Sequence, residues 1–262
     1  MINKPMIGVA AAVVLIAAGT WYYLHSRQVE VPNVTAQPPA AAAPDGAAIE
    51  HPVPAAPQNA ASGPLPPLAD SDAPLIDALV KIAGASAVKD YLVPESLIRH
   101  FVVTIDNLPR QKVAVQKRPV APVNGSFVAE GDELHATPDA QNYARYQPLV
   151  AMMGKLDTQQ LTAVYLRFYP LFQQAYQDLG YPNGYFNDRL VQVIDNLLAA
   201  PQPTGPIVLV RPNVMYTFAD PALESRSAGQ KLLMRMGADN SAAIKAKLKE
   251  LRTAITAAPP KR

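Results

Sequence analysis

The chain has 262 residues, 27 prolines, no cysteine and a formal net charge of +2. Because the charge is nearly balanced, strong attraction to nucleic acid is not expected, and the absence of cysteine excludes disulfides, thiolate chemistry, thiolate-bound metals and lipoprotein processing. The roughly 190 residues that follow a proline-rich stretch are enough for one domain of ordinary size.

An uncharged apolar run, Met6 to Leu24, lies near the amino terminus. At about 1.5 Å rise per residue, a helix of this run is roughly 28 Å long, close to the ~30 Å hydrocarbon core of a bilayer. Trp21, Tyr22 and Tyr23 stand at its end, where amphipathic rings favour the headgroup level. The run predicts a single-pass transmembrane anchor within residues 1–27, with membrane contact through residues 6–24.

The alternative interpretation of this run is a secretory signal peptide that is cleaved after residues 17–19. Its basic region would contain only Lys4 and the α-amino group, and the bulky rings of residues 21–23 stand where cleavage needs small residues. We therefore favour a retained anchor. Basic residues flank the run on both sides, so charge hardly specifies the orientation. The stalk-like segment that follows favours the inner (cytoplasmic) membrane, with the globular domain in the periplasm.

Residues 28–69 are rich in proline, alanine and small polar residues, as in QPPAAAAPDG, HPVPAAPQ and SGPLPPL. Proline lacks an amide donor and fixes φ, so neither helix nor sheet can propagate. The few large apolar side chains cannot offset the entropy lost on ordering. We predict a disordered linker over 28–69, a globular domain over 70–258 and a tail over 259–262.

Helical periodicity and capping signals dominate the predicted domain. The longest helix carries an aromatic stripe at residues 165, 169, 172 and 176, which we interpret as core packing with hydroxyl groups at the rim. Pro170 is expected to kink this helix. The predicted helices are PLIDALVKIA, capped by Ser71 or Asp72 and ended by Gly84; a run from about Pro94 to Pro109; a stretch opened by Thr137-Pro138 and interrupted at Pro148; the longest helix, capped by Asp157; DRLVQVIDNLLA, capped by Asn187; and Ser227–Met236 and Asn240–Ala257.

Short strands are predicted in two places. SFVAEGDELHA (126–136) is typical of a hairpin around Gly131-Asp132, and IVLV (207–210) and VMYTF (214–218) can pair with each other or with that hairpin. There is no alternating βαβ rhythm. We therefore predict a mostly helical α+β domain with six to eight helices and a small antiparallel sheet, preceded by the transmembrane helix and the disordered linker.

The segment YPNGYFNDR (181–189) contains three aromatic residues, an Asn-Gly turn and an Asp-Arg pair. One interpretation is a recognition loop, in which rings stack on a sugar or peptide and polar side chains give directional hydrogen bonds. The other is a structural turn, with positive φ at Asn183-Gly184, Asn187 capping the next helix and Asp188 in its first turn. The candidate ligand-binding residues are Tyr181, Asn183, Tyr185, Asn187, Asp188 and Arg189.

Catalytic and metal-binding patterns are missing from the sequence. No H-E-x-x-H, G-x-S-x-G, S-x-x-K or Walker pattern occurs, and no loop concentrates metal ligands. We therefore assign no catalytic residue, no metal and no cofactor. Asp188 and Asp195 are seven residues apart and so lie on one helical face, about 10 Å apart along the axis, which leaves a carboxylate-based hydrolase open as the alternative.

Three blocks of the sequence, FVVTIDNLPR (101–110), YPLFQQAYQDLGYPNGYFNDRL (169–190) and ADPALESRSAGQKLLMRMG (219–237), resemble a bacterial envelope family known as domain of unknown function 3014. The resemblance implies an N-terminal membrane segment and a Pro/Ala-rich tether, but no activity and no catalytic residues. We expect a non-catalytic, membrane-tethered interaction or structural domain whose partner is an envelope protein or cell-wall polymer. The alternative is an envelope hydrolase of glycan or peptide that acts through Tyr181–Arg189. The sequence does not specify an oligomeric state.

Overall fold

The computed structural model describes residues 48–54, 63–212 and 214–257. These residues form ten α-helices and four two-residue strands, so the mostly helical α+β class is confirmed. The helices outnumber the six to eight predicted because three of them have only one or two turns. They are α1 (Asp72–Ala83), α2 (Ala85–Tyr91), α3 (Leu97–Asn107), α4 (Gln141–Ala144), α5 (Gln147–Lys155), α6 (Thr158–Asp178), α7 (Phe186–Leu198), α8 (Pro221–Glu224), α9 (Ala228–Arg235) and α10 (Ala238–Ile255), and the strands are β1 (Ala129–Glu130), β2 (Thr137–Pro138), β3 (Leu209–Val210) and β4 (Thr217–Phe218).

The main apolar cluster forms where α1 and α3 pack against α6. Leu97, Ile98 and Val102 of α3 recur at helical spacing, share one face and are fully buried. Asp72 begins α1, but its carboxylate caps α3 by accepting hydrogen bonds from the amides of Ser96 (2.7 Å) and Leu97 (2.8 Å). The two helices are therefore held together both by apolar packing and by a cap that satisfies otherwise unpaired amides.

The longest helix, α6, provides the wall on which the rest of the core is built. Asp157 caps it as predicted, accepting a hydrogen bond of 2.8 Å from the amide three residues later, and the helix continues through Pro170. Phe172 and Tyr176 of its aromatic stripe are buried, and the Phe172 ring stacks on that of Phe186 with centroids 5.7 Å apart. The stripe therefore packs in the core as predicted and positions the start of α7.

The two strand pairs form antiparallel ladders, β1 with β2 and β3 with β4, and a bridge between Ala136 and Leu209 joins them. Both pairings that the sequence allowed for residues 207–218 therefore occur. The prediction that Thr137-Pro138 opens a helix was wrong, because these residues form β2. The break in the helical stretch lies just before Pro148, between α4 and α5, and Pro148 itself is in the first turn of α5, where a proline loses no helical hydrogen bond.

Two parts of the predicted linker lie on the domain, contrary to expectation. Leu65 and Leu68 pack against the main apolar cluster, so the folded part begins before residue 70. Residues 48–54, called the linker segment below, contact α7 and the residue before it. The predicted anchor at residues 6–24 and the tail at 259–262 lie outside the described residues. Among the helices that the structure describes, none is long and apolar enough to span a bilayer.

Candidate functional site, a surface that holds the linker

The candidate segment begins with a tight turn that precedes α7. The amide of Gly184 donates to the carbonyl of Tyr181 at 3.0 Å, which confirms the predicted turn. The prediction of positive φ at Asn183-Gly184 was wrong, because positive φ occurs instead at Gly180 (φ 114°), one residue before the turn. Gly184 is needed instead for close packing, because a Cβ added there would lie 2.8 Å from Cε1 of Tyr176.

Gln173 of α6 fixes the junction between this turn and α7. Its Oε1 accepts hydrogen bonds from the amide of Phe186 (2.9 Å) and the hydroxyl of Tyr169 (3.1 Å), and its Nε2 donates to the carbonyl of Gly184 (2.7 Å). The prediction that Asn187 caps α7 was wrong: Tyr185 occupies the cap position, and its side chain makes no capping hydrogen bond. The side chains at the start of α7 are therefore free to face another part of the chain.

Asp188 and Tyr185 bind the main chain of the linker segment. The carboxylate of Asp188 accepts hydrogen bonds from the amides of Glu50 (3.2 Å, to Oδ2) and His51 (2.6 Å, to Oδ1). The hydroxyl of Tyr185 accepts one from the amide of Val53 at 3.0 Å. These contacts join residues more than 130 positions apart, and we call the surface formed by Tyr185, Asn187 and Asp188 the linker site.

Asn187 is the buried residue of the linker site. Its side chain is fully buried, and its Nδ2 donates to the carbonyls of His51 (2.8 Å) and Ile255 (3.3 Å). Its Oδ1 accepts a hydrogen bond from the hydroxyl of Tyr165 at 2.9 Å. One amide side chain therefore ties the linker segment to α6 and to the last turn of α10.

The linker segment is bound mainly through its backbone. Its amide donors at positions 50, 51 and 53 alternate with Pro52 and Pro54, which have no amide hydrogen to satisfy. The half-buried imidazole of His51 adds a side-chain contact, with its Nδ1 3.4 Å from Oδ1 of Asp188. The prolines of the segment therefore stand at positions where the site needs no amide donor.

Tyr181 and Arg189, the two ends of the candidate segment, turn inward to a different centre. The carboxylate of Asp106, which is 3% exposed, accepts hydrogen bonds from Arg110 (2.7 Å), Arg189 (3.0 Å) and Tyr181 (3.3 Å). Arg189 also donates to the carbonyl of Asp106 at 2.8 Å. This buried network connects α3 to the start of α7, so these two predicted ligand-binding residues hold the linker site in place and do not line it.

Of the six predicted residues, Tyr185, Asn187 and Asp188 come together at the linker site, while Asn183 lies exposed in the turn. Sequence reasoning missed Asp106 and Gln173. For Asp106 a signal existed, because it is a lone carboxylate among apolar residues in FVVTIDNLPR. Gln173 gave none, since a glutamine on a helix is ordinary until its partner in another element is known.

The two carboxylates considered for hydrolysis have separate partners. Asp188 uses both oxygens on linker amides, whereas Asp195 bonds Arg252 through two contacts of 2.6 and 3.0 Å. The hydrogen bond from Arg252 holds the pKa of Asp195 below its usual value. Within the described parts of the chain, no group of three or more His, Cys, Asp or Glu residues could hold a metal ion.

The tyrosines beneath the linker site have strongly raised pKa values. Burial raises the pKa of the Tyr165 and Tyr169 hydroxyls far above the usual range, and nearby Tyr185 adds to both shifts. Burial also raises the pKa of Tyr176 to about 12. These hydroxyls therefore stay neutral at physiological pH, and Tyr165 keeps the proton that it donates to Asn187.

As the pH rises above 10, the free energy of unfolding of the Tyr165→Phe variant is expected to fall less steeply than that of the parent chain. A tyrosine whose pKa is raised on folding contributes stability that is fully present below the unfolded pKa and is lost as pH rises, by up to about 1.4 kcal/mol per pH unit. Urea denaturation at several pH values between neutral and 11.5 measures the two slopes. Equal slopes would contradict the burial of this hydroxyl.

The Gly184→Ala variant is expected to lower the free energy of unfolding by about 1–3 kcal/mol, because the added methyl group collides with the ring of Tyr176 and with Cβ of Tyr181. Gly205→Ala is the matched control, since a Cβ at that loop glycine meets nothing within 4 Å. Urea denaturation followed by circular dichroism compares the two variants. A cost that is no larger at Gly184 than at Gly205 would show that the turn does not pack as described.

Comparison with known proteins gives one match. A protein-family profile described as "Protein of unknown function (DUF3014)" matches residues 97–252, which is more than half of the chain. The matched region contains the linker site and the Asp106 network, whereas the linker segment lies before it. No curated protein and no solved structure matches the chain.

Proposed function

We propose a function from the geometry of the linker site, because the chain belongs to the DUF3014 family of proteins of unknown function and the description of that family names no activity. The protein acts as a non-catalytic interaction domain of the bacterial cell envelope, tethered to the inner membrane by residues 6–24. Its partner is an envelope protein or a cell-wall polymer, and the linker site is the surface that recognises it.

One observation carries this proposal: the linker site already holds a stretch of non-helical chain by its main-chain groups. The carboxylate of Asp188 accepts hydrogen bonds from the amides of Glu50 and His51, and the side chain of Asn187 donates one to the carbonyl of His51. Hydrogen bonds to an ionised acceptor are roughly twice as strong as those between neutral groups. A surface that is arranged around backbone groups in this way is suited to binding, and its polar atoms are engaged in contacts and not in proton transfer.

The hydrolase alternative has no observation in its favour. General acid–base catalysis by two carboxylates needs both of them to converge on one pocket at a separation that suits a sugar or a water molecule. Asp188 faces the linker segment and Asp195 pairs with Arg252, which removes both from that role in this arrangement. We therefore do not carry this alternative forward.

The interaction function is tested by affinity capture from bacterial envelope extracts with the full chain in detergent. We expect Asp188→Ala to reduce capture of a specific component by about tenfold or more, since it removes two charge-assisted hydrogen bonds. Asp178→Ala is the matched control, because Asp178 pairs with Arg99 on the exposed surface. If no captured component depends on Asp188, the proposed function is wrong.

The tether is tested separately by washing membranes with alkaline carbonate. The intact, uncleaved chain is expected to stay in the membrane pellet, because about 20 apolar residues in a helix anchor a protein stably. Release of the full-length chain by this wash would rule out the anchor, and a shortened chain in the periplasmic fraction would support the cleaved signal peptide instead.

A further inference from the structure

We propose that the linker site binds a proline-containing peptide from a partner through its main chain, and that the linker segment is a built-in competitor for the same site. This inference rests on the proposed function and adds to it the chemistry of the ligand and the regulation of its binding. The occupant seen in the structure is residues 48–54 of the chain itself, which lie on Tyr185, Asn187 and Asp188.

The ligand chemistry follows from what the site contacts. It binds amides at three positions, Glu50, His51 and Val53, and one carbonyl, that of His51. Among the described side chains of the linker segment, that of His51 contacts Asp188. Ile49, by contrast, is 53% exposed to solvent. The site is therefore tolerant of most side chains, but it requires amide donors at these three positions, with a bend in the chain at the first two.

Prolines make a peptide suitable for this site in two ways. Pro52 and Pro54 fall where no donor is needed, and proline restricts φ, so that less entropy is lost when the peptide binds. The ring of Tyr185, whose hydroxyl accepts a hydrogen bond from the amide of Val53, packs beside the ring of Tyr169 with centroids 5.8 Å apart. Aromatic side chains are a recurrent element of sites that recognise proline-rich segments.

The linker segment competes with such a peptide for the linker site, and its attachment to the domain gives it a high local concentration. Only residues 55–62 separate the segment from Gly63, where the described domain begins. A short tether gives an effective concentration on the order of 1 mM, so a linker segment with an intrinsic dissociation constant of about 0.1 mM weakens the binding of any free peptide roughly tenfold. The factor is set by the affinity of the linker segment and is the same for every competing peptide.

The experiment frees the site by removing the donors of the linker segment in the full chain, reconstituted in detergent micelles. The triple variant Glu50→Pro, His51→Pro and Val53→Pro lacks all three amides that the site binds. The matched control places three prolines elsewhere in the linker, at Ala41, Ala42 and Ala43. The probe is a fluorescein-labelled synthetic peptide with the sequence of residues 46–56, and its affinity is measured by fluorescence anisotropy.

We expect the probe to bind the triple variant at least about tenfold more tightly than it binds the wild-type chain or the control. A probe that carries the same three proline substitutions should not bind, and adding Asp188→Ala to the triple variant should abolish binding. Unchanged circular dichroism establishes that each variant is folded.

Two results would overturn the inference, and they differ in meaning. If the probe binds the wild-type chain and the triple variant equally, the linker segment does not compete, although an interaction function for the linker site remains. If the probe binds neither, the site does not take a peptide from outside, and the capture experiment alone decides the proposed function.

Discussion

Replacing Asp106 by asparagine is expected to lower the free energy of unfolding by about 3–5 kcal/mol, because it leaves two guanidinium groups together with no counter-charge in a largely buried place. The side chains of Arg110 and Arg189 are only 20% and 17% exposed, and the carboxylate that separates them is 4% exposed. Asparagine has nearly the same shape, so the cost reflects charge and not packing. The measurement is urea denaturation of the full chain in detergent, followed by far-ultraviolet circular dichroism.

Asp178→Asn provides the matched control for this charge effect. Asp178 forms a 3.0 Å ion pair with Arg99, and both side chains are more than 40% exposed. An exposed pair of this kind contributes at most about 1 kcal/mol. If Asp106→Asn costs no more than Asp178→Asn, then the Asp106 network does not hold α3 against α7, and the support that we assign to the linker site is absent.

The Phe186→Ala variant is also expected to lose about 3–5 kcal/mol, by forming a cavity in the main apolar cluster. The Phe186 ring is fully buried, stacks on Phe172 at 5.7 Å and contacts Tyr176 at 5.6 Å between centroids. Because it begins α7, this ring also anchors the residues of the linker site that flank it. The loss should appear as a lower urea midpoint with an unchanged denaturant slope.

Phe186→Leu separates the loss of volume from the loss of hydrophobic character. A leucine fills most of the space, so its cost should be well below that of alanine, at about 1–2 kcal/mol. Equal costs for the two substitutions, or a cost below about 1 kcal/mol for alanine, would contradict the packing described for the start of α7.

The helices that the sequence predicted best are those whose signals are local and complete. Asp157 caps α6, Gly84 ends α1 and Ser227 caps α9, each within the hydrogen-bonding reach of its own helix. Thr137-Pro138 misled the prediction because the same residue types begin helices and edge strands, and only the pairing of Ala129 with Pro138 decides between them.

The candidate site was predicted in part, for a related reason. YPNGYFNDR allowed a recognition loop or a structural turn, and ligand binding there stays a prediction, but three of its residues do form hydrogen bonds with a distant segment of the same chain. No local pattern could show that this segment is residues 48–54, since the contact is made by backbone amides, which every residue except proline carries. The inward turn of Arg189 was equally hidden, because Asp106 lies 83 positions away.

Amide hydrogen exchange of the linker segment in the full chain tests directly whether the site holds it. By mass spectrometry, three amides of a proteolytic fragment that covers residues 48–54 should exchange at least about tenfold more slowly than in an unstructured chain, since Glu50, His51 and Val53 donate to the linker site. Asp188→Ala should remove this protection, and Asp178→Ala should preserve it. Exchange of the wild-type segment at the unstructured rate would contradict the occupied linker site and every proposal that depends on it.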